Sequence, residues 1–251
     1  SVSMNELQPI LSFSAVDFWY DENHVENKAL QNLTFSVRPG ERVGLIGGNG
    51  AGKSTLLKLP VALLPVRTGT VQAAGMEITD KTIAAVRRRI GYLFQDSESQ
   101  LFMPTVAKDV AFAAESSGLS REETACRTTA ALSLVQMEAM ADKQIYRLSG
   151  GQKKLTAIAG LLVLKPDLIL MDEPSSTLDP KNRRNLIAVL NSLDCAKIIA
   201  SHDLDFIYDT CDRVLLLHAG KIAADGPAAE ILQQKDLLER CDLELPLRLQ
   251  R

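Results

Sequence analysis

The sequence predicts an α/β fold with a mostly parallel sheet, an N-terminal antiparallel β piece and an inserted helical region. Three stretches carry that expectation. Arg42-Val43-Gly44-Leu45-Ile46 reads as a buried strand, runs into a glycine-rich loop from Gly47 to Thr55, and is followed by a leucine-rich helix; strand, loop and helix in that order form an α/β unit. Leu168-Ile169-Leu170-Met171 is apolar without interruption and ends in Asp172-Glu173, so both of its faces need cover, as in the middle of a parallel sheet. From Val106 to about Lys143 the pattern turns helical and interrupts the alternation.

Composition narrows the class. With 251 residues, 46% hydrophobic and 24% charged, the chain has material for a full core and a soluble surface, and its length suits one domain carrying a subdomain. The 28 basic and 31 acidic residues give a net charge of -3, and the only tight basic run is Arg87-Arg88-Arg89. That is a solvated helix face rather than the wide stripe nucleic acid needs, so no nucleic-acid partner is expected. Cys126, Cys195, Cys211 and Cys241 are widely spaced with no CxxC, which reads as reduced thiols in a cytosolic protein rather than disulfides or zinc ligands. The longest apolar run, Ala157 to Leu164, falls far short of the ~20 residues of a membrane span, and the polar Ser1 to Gln8 predicts no signal peptide there.

Taken in order, Val16 to Tyr20 and Leu30 to Val37 alternate and predict an antiparallel hairpin closed by Pro39-Gly40, with Phe18 in the core and Tyr20 or Trp19 free to stack on a base. The helix from about Gly52 meets Pro60, whose cost of ~3 kcal/mol inside a helix predicts a bend or an early end at Leu59. Thr68 to Val71 is a short strand turned by Ala73 to Met76, and Asp80 to Arg88 a short helix capped by Thr79 or Asp80. Ile90 to Phe94 is a strand ending at Gln95, and Asp96 to Phe102 a polar turn expected to be exposed and mobile. In the helical region Val110, Phe112, Ala113, Ala130, Leu134 and Met137 fall at helix-like spacings. Leu148-Ser149-Gly150-Gly151-Gln152 leads into a helix from Lys153 to Leu164, which Pro166-Asp167 breaks before the apolar strand. Ser175 to Asp179 is a loop, Pro180 opens a helix at its first turn, and Lys197 to Ala200 is a strand ending at Ser201-His202. A short helix from Asp203 to Thr210, a hairpin of Arg213 to Leu217 with Lys221 to Ala224, and a last helix from Gly226-Pro227 follow. There is no internal repeat, low-complexity tract or coiled-coil heptad.

The loop Gly47, Gly48, Asn49, Gly50, Ala51, Gly52, Lys53, Ser54, Thr55 matches G-x-x-x-x-G-K-[ST]. Glycines there let the backbone curl around an oxyanion with its N–H groups inward, Lys53 would reach the β- and γ-phosphates, and the Ser54 hydroxyl would ligate Mg²⁺. Asp172, at the C-terminal end of an apolar strand, is placed to hold Mg²⁺ through its water shell, and Glu173 to polarise a water aimed at the γ-phosphate. His202 ends the next strand and should emerge on the same sheet edge. Ser149-Gly150-Gly151-Gln152 is a second glycine loop at a helix start and so a second anion site, with no evident ligand in its own subunit. A head-to-tail pair, each second loop covering the nucleotide held by the other subunit, resolves this.

This ordered set resembles the ATPase subunit of ABC transporters. The matching residues are Tyr20 as base-stacking aromatic, Gly47 to Thr55 as Walker A, Gln95 as Q-loop glutamine and Leu148 to Gln152 as signature; Leu168 to Asp172 matches Walker B, Glu173 the catalytic glutamate, Ser176 to Asp179 the D-loop and His202 the H-loop histidine. The resemblance implies a P-loop NTPase with a RecA-like sheet over residues 8–235, its helical subdomain inserted at about 97–155, and a tail at 236–251 in which Leu243 to Arg251 resembles the beginning of an extra C-terminal element. Phe94-Gln95-Asp96, Gln100-Leu101-Phe102 and Asp109 to Phe112 are similar to ATPases of energy-coupling-factor transporters and their cobalt and nickel relatives.

The resemblance also implies ATP and Mg²⁺ as cofactors. Ser54, Gln95 and Asp172 would lie around the metal; Glu173, His202, Gln95 and Lys53 would be catalytic; Ser149 and Gly151 would touch the γ-phosphate across the dimer; and Asp179 would contact the opposite Walker A. Implied partners are a second ATPase subunit, identical or paralogous, a transmembrane coupling protein docked on the helical subdomain and Q-loop, and a substrate-binding membrane subunit, all at the cytoplasmic face of the cell membrane. Three residues depart from the pattern: Ser97 in place of Pro, Leu155 in place of an Arg after the signature, and Pro60 after Walker A. A soluble ABC ATPase of DNA repair or chromosome maintenance would need a long coiled-coil insertion or a basic groove, and a P-loop kinase an acceptor site; the sequence offers none of these.

Overall fold

The computed structural model describes residues 8–251, so the polar stretch before Gln8 lies outside the described residues. Two sheets organise the chain. The first is antiparallel, in the order β2-β1-β4-β5, formed by β1 (Leu11–Trp19), β2 (Lys28–Val37), β4 (Thr68–Ala73) and β5 (Met76–Glu77). The second runs β10-β9-β3-β8-β7-β6, formed by β3 (Arg42–Ile46), β6 (Ile90–Leu93), β7 (Leu168–Asp172), β8 (Ala196–Ala200), β9 (Arg213–His218) and β10 (Lys221–Pro227). Its strands are parallel except for β10, which pairs antiparallel to β9 at the edge.

β7 shows why the apolar run had to be central. It lies between β6 and β8, and every residue of it is buried. Leu168 and Leu170 face a core shared with the antiparallel sheet, including Phe13, Phe18 and Leu30, whereas Ile169 and Met171 face a core shared with the helices behind. Alternate side chains of one strand thus serve two cores, which only a sheet covered on both faces allows. The helices are α1 (Lys53–Lys58), α2 (Ile83–Arg89), α3 (Val106–Ser116), α4 (Arg121–Leu134), α5 (Gly150–Leu162), α6 (Pro180–Ser192), α7 (Leu204–Thr210), α8 (Ala228–Ile231) and α9 (Lys235–Arg240). α3 and α4 pack on α5 and share its core.

Local chemistry sets several boundaries. α1 ends before Pro60, the early end that proline imposes. Ala74 and Gly75, both at positive φ, turn β4 into β5. Asp179 caps α6 by accepting from Asn182 N, with Pro180 in the first turn.

Elsewhere the structure corrects the sequence reading. Neither Thr79 nor Asp80 caps α2: the helix starts at Ile83, and the Thr82 hydroxyl turns back to donate to the Glu77 carbonyl. Ser97 is buried, not exposed, in a 3-10 turn at Ser97–Gln100, and Gln100 fastens that turn by accepting from Phe94 N and donating to the Tyr92 carbonyl. The helical spacing over Val110 to Leu134 is that of α3 and α4, with Phe112, Ala130 and Leu134 on their outward faces. The last helix starts after Pro227, through which β10 continues, and is two short ones, α8 and α9. The four cysteines are free, and burial pushes the Cys211 thiol up to about 12, leaving it inert near neutral pH. No helix of the described residues is long and apolar enough to cross a membrane.

Candidate functional site

The C-terminal ends of β3, β7 and β8 converge on one groove of about 410 Å³, lined by Tyr20, Gly48 to Thr55, Gln95, Asp172, Glu173 and His202. Open parallel sheets place ligands at this edge. Gly50 and Gly52 take φ of +77° and +109°, left-handed positions that free the loop to curl, and nothing lies within 4 Å of where a Cβ at Gly50 would stand. At Gly52 a Cβ would meet Leu30 Cδ2 at 2.8 Å and the Ala29 carbonyl oxygen at 3.0 Å, so only glycine lets the loop lie against β2.

Lys53 folds back to donate to the Gly47 carbonyl, closing the loop on itself. Burial holds its ammonium below the ordinary lysine range, against the opposing pull of Glu173 and Asp172. The Ser54 hydroxyl donates to Asp172 Oδ2 at 2.8 Å. Burial raises the Asp172 carboxyl; the Ser54 hydrogen bond opposes the shift and the Glu173 charge adds to it. Glu173 is 8% exposed and sits at φ 47°, a left-handed position unusual for a side chain of this size. Its N–H donates to the Ala200 carbonyl at 2.8 Å, and its Oε1 receives His202 N at 3.1 Å and lies 2.9 Å from His202 Nδ1. The strained residue is therefore held at its backbone by the end of β8 and at its side chain by the loop that follows it.

Of the two candidate aromatics, Tyr20 lines the groove: its hydroxyl shares a hydrogen bond with Thr55, and its ring stands edge-on to Phe18 at 4.8 Å. Trp19 instead lies under Arg67. The residues present suit a nucleoside triphosphate, with an open glycine cradle, an ammonium folded against it, and the Ser54–Asp172 hydroxyl–carboxylate pair that would hold a Mg²⁺ ion. Among the described residues no group of three or more His, Cys, Asp or Glu could hold a metal, but a Mg²⁺ that keeps its waters and takes substrate oxygens does not need one.

Ser149, Gly150, Gly151, Gln152 and Asp179 do not line this groove. Ser149 caps α5 in a reciprocal box: its hydroxyl accepts from Gln152 N at 3.2 Å, and Gln152 Oε1 accepts from Ser149 N at 3.0 Å. Gly150 is exposed with open space around it, while a Cβ at Gly151 would stand 2.3 Å from Asn182 Cγ. Gly151 thus lets the starts of α5 and α6 touch, bringing the Ser149 loop beside the Asp179 cap.

Two features escaped the sequence reading. Lys154 is only 4% exposed, and burial lowers its ammonium while the charges of Asp96 and Glu173 pull the other way. The signal was its place on the buried stripe Gly151, Lys154, Ile158 and Leu162. Leu155, beside it, packs against the core. Asp203, next to His202, caps α7 by accepting from Phe206 N and also takes Nε and Nη2 of Arg183 at 3.2 Å each, tying α7 to α6.

The chain is similar in sequence and fold to known proteins. A family model described as ABC transporter matches residues 30–176. A Streptomyces coelicolor protein described as an ABC transporter ATP-binding protein is 43% identical over 236 residues, covering 94% of this chain and 90% of its own. The energy-coupling factor transporter ATP-binding protein EcfA1 of Lactiplantibacillus plantarum is 34% identical over 244 residues, covering 96% and 86%. The structure of cbiO1 from Clostridium perfringens, described as part of the ABC transporter complex cbiONQ, superposes with a TM-score of 0.83 at 33% identity, covering 95% of this chain and 96% of that one. A groove built by the Walker residues, with the signature loop set apart on its own helix, and these likenesses over nearly the whole length place the chain in the family of ABC transporter ATP-binding subunits.

Proposed function

We propose that this subunit is the Mg²⁺-dependent ATPase of an importer of the energy-coupling-factor type, for a vitamin or a transition-metal ion. It works as a head-to-tail dimer against a transmembrane coupling protein and a substrate-binding membrane subunit at the cytoplasmic face of the membrane. The observation that carries the hydrolytic part is the Glu173–His202 pair, 2.9 Å apart, set beside Lys53, Ser54 and Asp172 in one groove. Lys53 would leave the Gly47 carbonyl for the β- and γ-phosphates. Ser54, with Asp172 and Gln95 around it, would hold Mg²⁺, which when bound neutralises charge on the transferring phosphoryl group. Glu173, its carboxylate fixed by two contacts from His202, would align and polarise the water that attacks the γ-phosphorus as the bond to the β-γ bridging oxygen breaks. Tyr20 would stack on the base. Ser149 and Gly151 of the second subunit would close the site beside the exposed Gly150, with its Asp179 against the loop.

The importer reading is supported by the likenesses to EcfA1 and cbiO1 and by an apolar groove of about 250 Å³ beside the Q-loop, lined by Val61, Leu63, Tyr92, Phe94, Ala113 and Leu161 among others. Phe102, 61% exposed, meets Phe112 edge-on at 4.6 Å nearby on the helical subdomain. These surfaces would receive the membrane partner. A repair or chromosome-maintenance ATPase is not favoured, since the longest helix of the insert, α4, has 14 residues.

Glu173→Gln tests both halves of the reading. The variant should bind ATP, dimerise and lose about 10²–10³-fold in kcat, and as an ATP-locked bait in detergent-solubilised membranes it should retain integral membrane proteins. A wild-type rate would remove Glu173 from its role, and recovery of soluble complexes alone would overturn the transport assignment.

A further inference from the structure

The segment after α9 touches the phosphate loop at one end and, at the other, the helix that follows His202. α9 ends in a tight reversal: Leu243 N donates to the Leu238 carbonyl at 2.8 Å, Asp242 N to the Glu239 carbonyl at 3.2 Å, and Asp242 takes φ 62°. The reversal rests directly on the phosphate loop. A Cβ at Gly48 would stand 2.8 Å from Asp242 Cβ and 3.3 Å from the Cys241 carbonyl oxygen, so the loop and the turn are in backbone contact. Leu238, Cys241 and Leu243 are buried in the core that also holds Leu204 and Phe206 of α7, which anchors the turn to the body of the protein.

Six residues further on, the chain is fastened to α7, the helix that starts two residues after His202. Asp205 accepts from Leu247 N at 2.8 Å and from Arg248 Nε at 2.9 Å, and Arg248 Nη1 and Nη2 donate to the two oxygens of Asp209 at 2.8 Å each. The guanidinium also lies 4.7 Å from the Tyr208 ring centroid. One arginine thus grips both carboxylates of a two-turn helix, with the planar fork that only arginine offers. At the start of α7, Asp203, next to His202, is held by Arg183 of α6, so α7 is tied to α6 at one end and to the tail along its length.

We propose that residues 241–248 form a strap joining the phosphate loop to the His202 loop, and that Arg248 is a positioning residue for hydrolysis, acting through α7 on the His202–Glu173 pair. The proposal rests on the ATP-hydrolysing reading of the groove. It assigns Arg248 no contact with nucleotide. Loss of the fork should let α7 shift, loosening the water-aligning pair and the packing of the phosphate loop against the Asp242 turn, without removing any group that would contact the triphosphate.

The test uses the full chain with Mg·ATP. Arg248→Met should lower kcat about tenfold, as expected when a reacting group is misplaced, and leave KM for ATP nearly unchanged. Arg248→Lys, which keeps charge without the fork, should fall between. In a His202→Ala background Arg248→Met should remove little further rate, because its effect passes through His202. Amide hydrogen exchange of Arg248→Met should rise in residues 204–210 and 47–52 and stay unchanged in β7 and β8. An unchanged kcat and exchange pattern, an equal fold loss in the His202→Ala background, or faster exchange throughout the sheet would each overturn the proposal. If the wild-type chain hydrolyses no ATP, the catalytic reading fails on its own, and the exchange pattern still decides whether the strap joins the two loops.

Discussion

The chain carries two glycine loops at helix starts, and only one of them is furnished. Around Gly47 to Thr55 stand an ammonium, a hydroxyl, two carboxylates, a histidine and an aromatic ring, drawn from four separate stretches of sequence. Around Ser149 to Gln152 the polar groups are spent on each other in the capping box, Gly151 is covered by Asn182, and Gly150 faces open space. A loop built to hold a ligand by itself needs converging partners; one built to complete another subunit's site needs a stable, exposed edge. The difference between the two loops is therefore a physical argument for a composite site.

The sharpest way to break the comparison is to damage one loop in each of two preparations. Lys53→Ala should abolish nucleotide binding in its own groove. Gly150→Glu, at a position where a side chain meets nothing, should leave the fold and monomeric ATP binding intact but repel the partner's triphosphate. Each variant alone should be inactive. Mixed, they should regain hydrolysis, because one of the two composite sites in the mixed dimer then pairs an intact phosphate loop with an intact signature loop. Absence of any recovery in ATPase assays, with both variants shown folded, would mean that the loops do not act across a dimer.

A smaller effect separates the furnished loop from the bare one by its cost. Burial raises the Asp172 carboxyl above its ordinary value of 3.8, with the Glu173 charge adding to the shift. A folded-state value above the unfolded one means that the native chain binds the proton more tightly. Asp172 therefore favours folding below its unfolded value, and that contribution is lost as pH rises through the folded value. At pH 7 the buried charge is a burden, tolerated for what it holds. Asp172→Asn should accordingly raise Tm of the nucleotide-free protein at pH 7, at about 2–4 °C for each kcal/mol gained at this chain length, while Mg²⁺-dependent hydrolysis collapses. The gain should vanish as pH is lowered past the carboxylate range. An unchanged or lower Tm at pH 7 would show that the carboxylate carries no such cost.

What was legible in the sequence followed from periodicity and strand ends. The strand before Gly47, the buried β7 and the placement of Asp172, Glu173 and His202 on one edge all come from where apolar runs stop. The misses share a different cause. The cap of α2 was expected at Thr79 or Asp80, but the helix starts at Ile83 and the Thr82 hydroxyl before it turns to the Glu77 carbonyl, a partner from a preceding strand that no local pattern shows. The Arg183–Asp203 and Arg248–Asp205 pairs join positions 20 and 43 residues apart, and charge pairs across such gaps leave no periodic trace. Lys154 hid in a run of two lysines, of which only one is buried.

The smallest effect concerns the bare loop alone. The Ser149 hydroxyl spends its acceptor side on Gln152 N, which leaves its proton free to donate to a phosphate oxygen of the opposite subunit. Stability and ligand contact thus use different halves of one group, and two substitutions separate them. Ser149→Ala removes both, so the isolated chain should lose about 1 kcal/mol in urea unfolding, and ATP-dependent dimerisation should weaken as well. Ser149→Asp keeps an oxygen to accept from Gln152 N and puts negative charge at a helix start, so stability should stay within about 0.5 kcal/mol of wild type. Its carboxylate cannot donate and would repel the incoming γ-phosphate, so dimerisation should fail more completely than in Ser149→Ala. Dimerisation that instead followed stability across the two variants would reduce Ser149 to a helix cap, and the second loop would lose the contact that makes it half of a site.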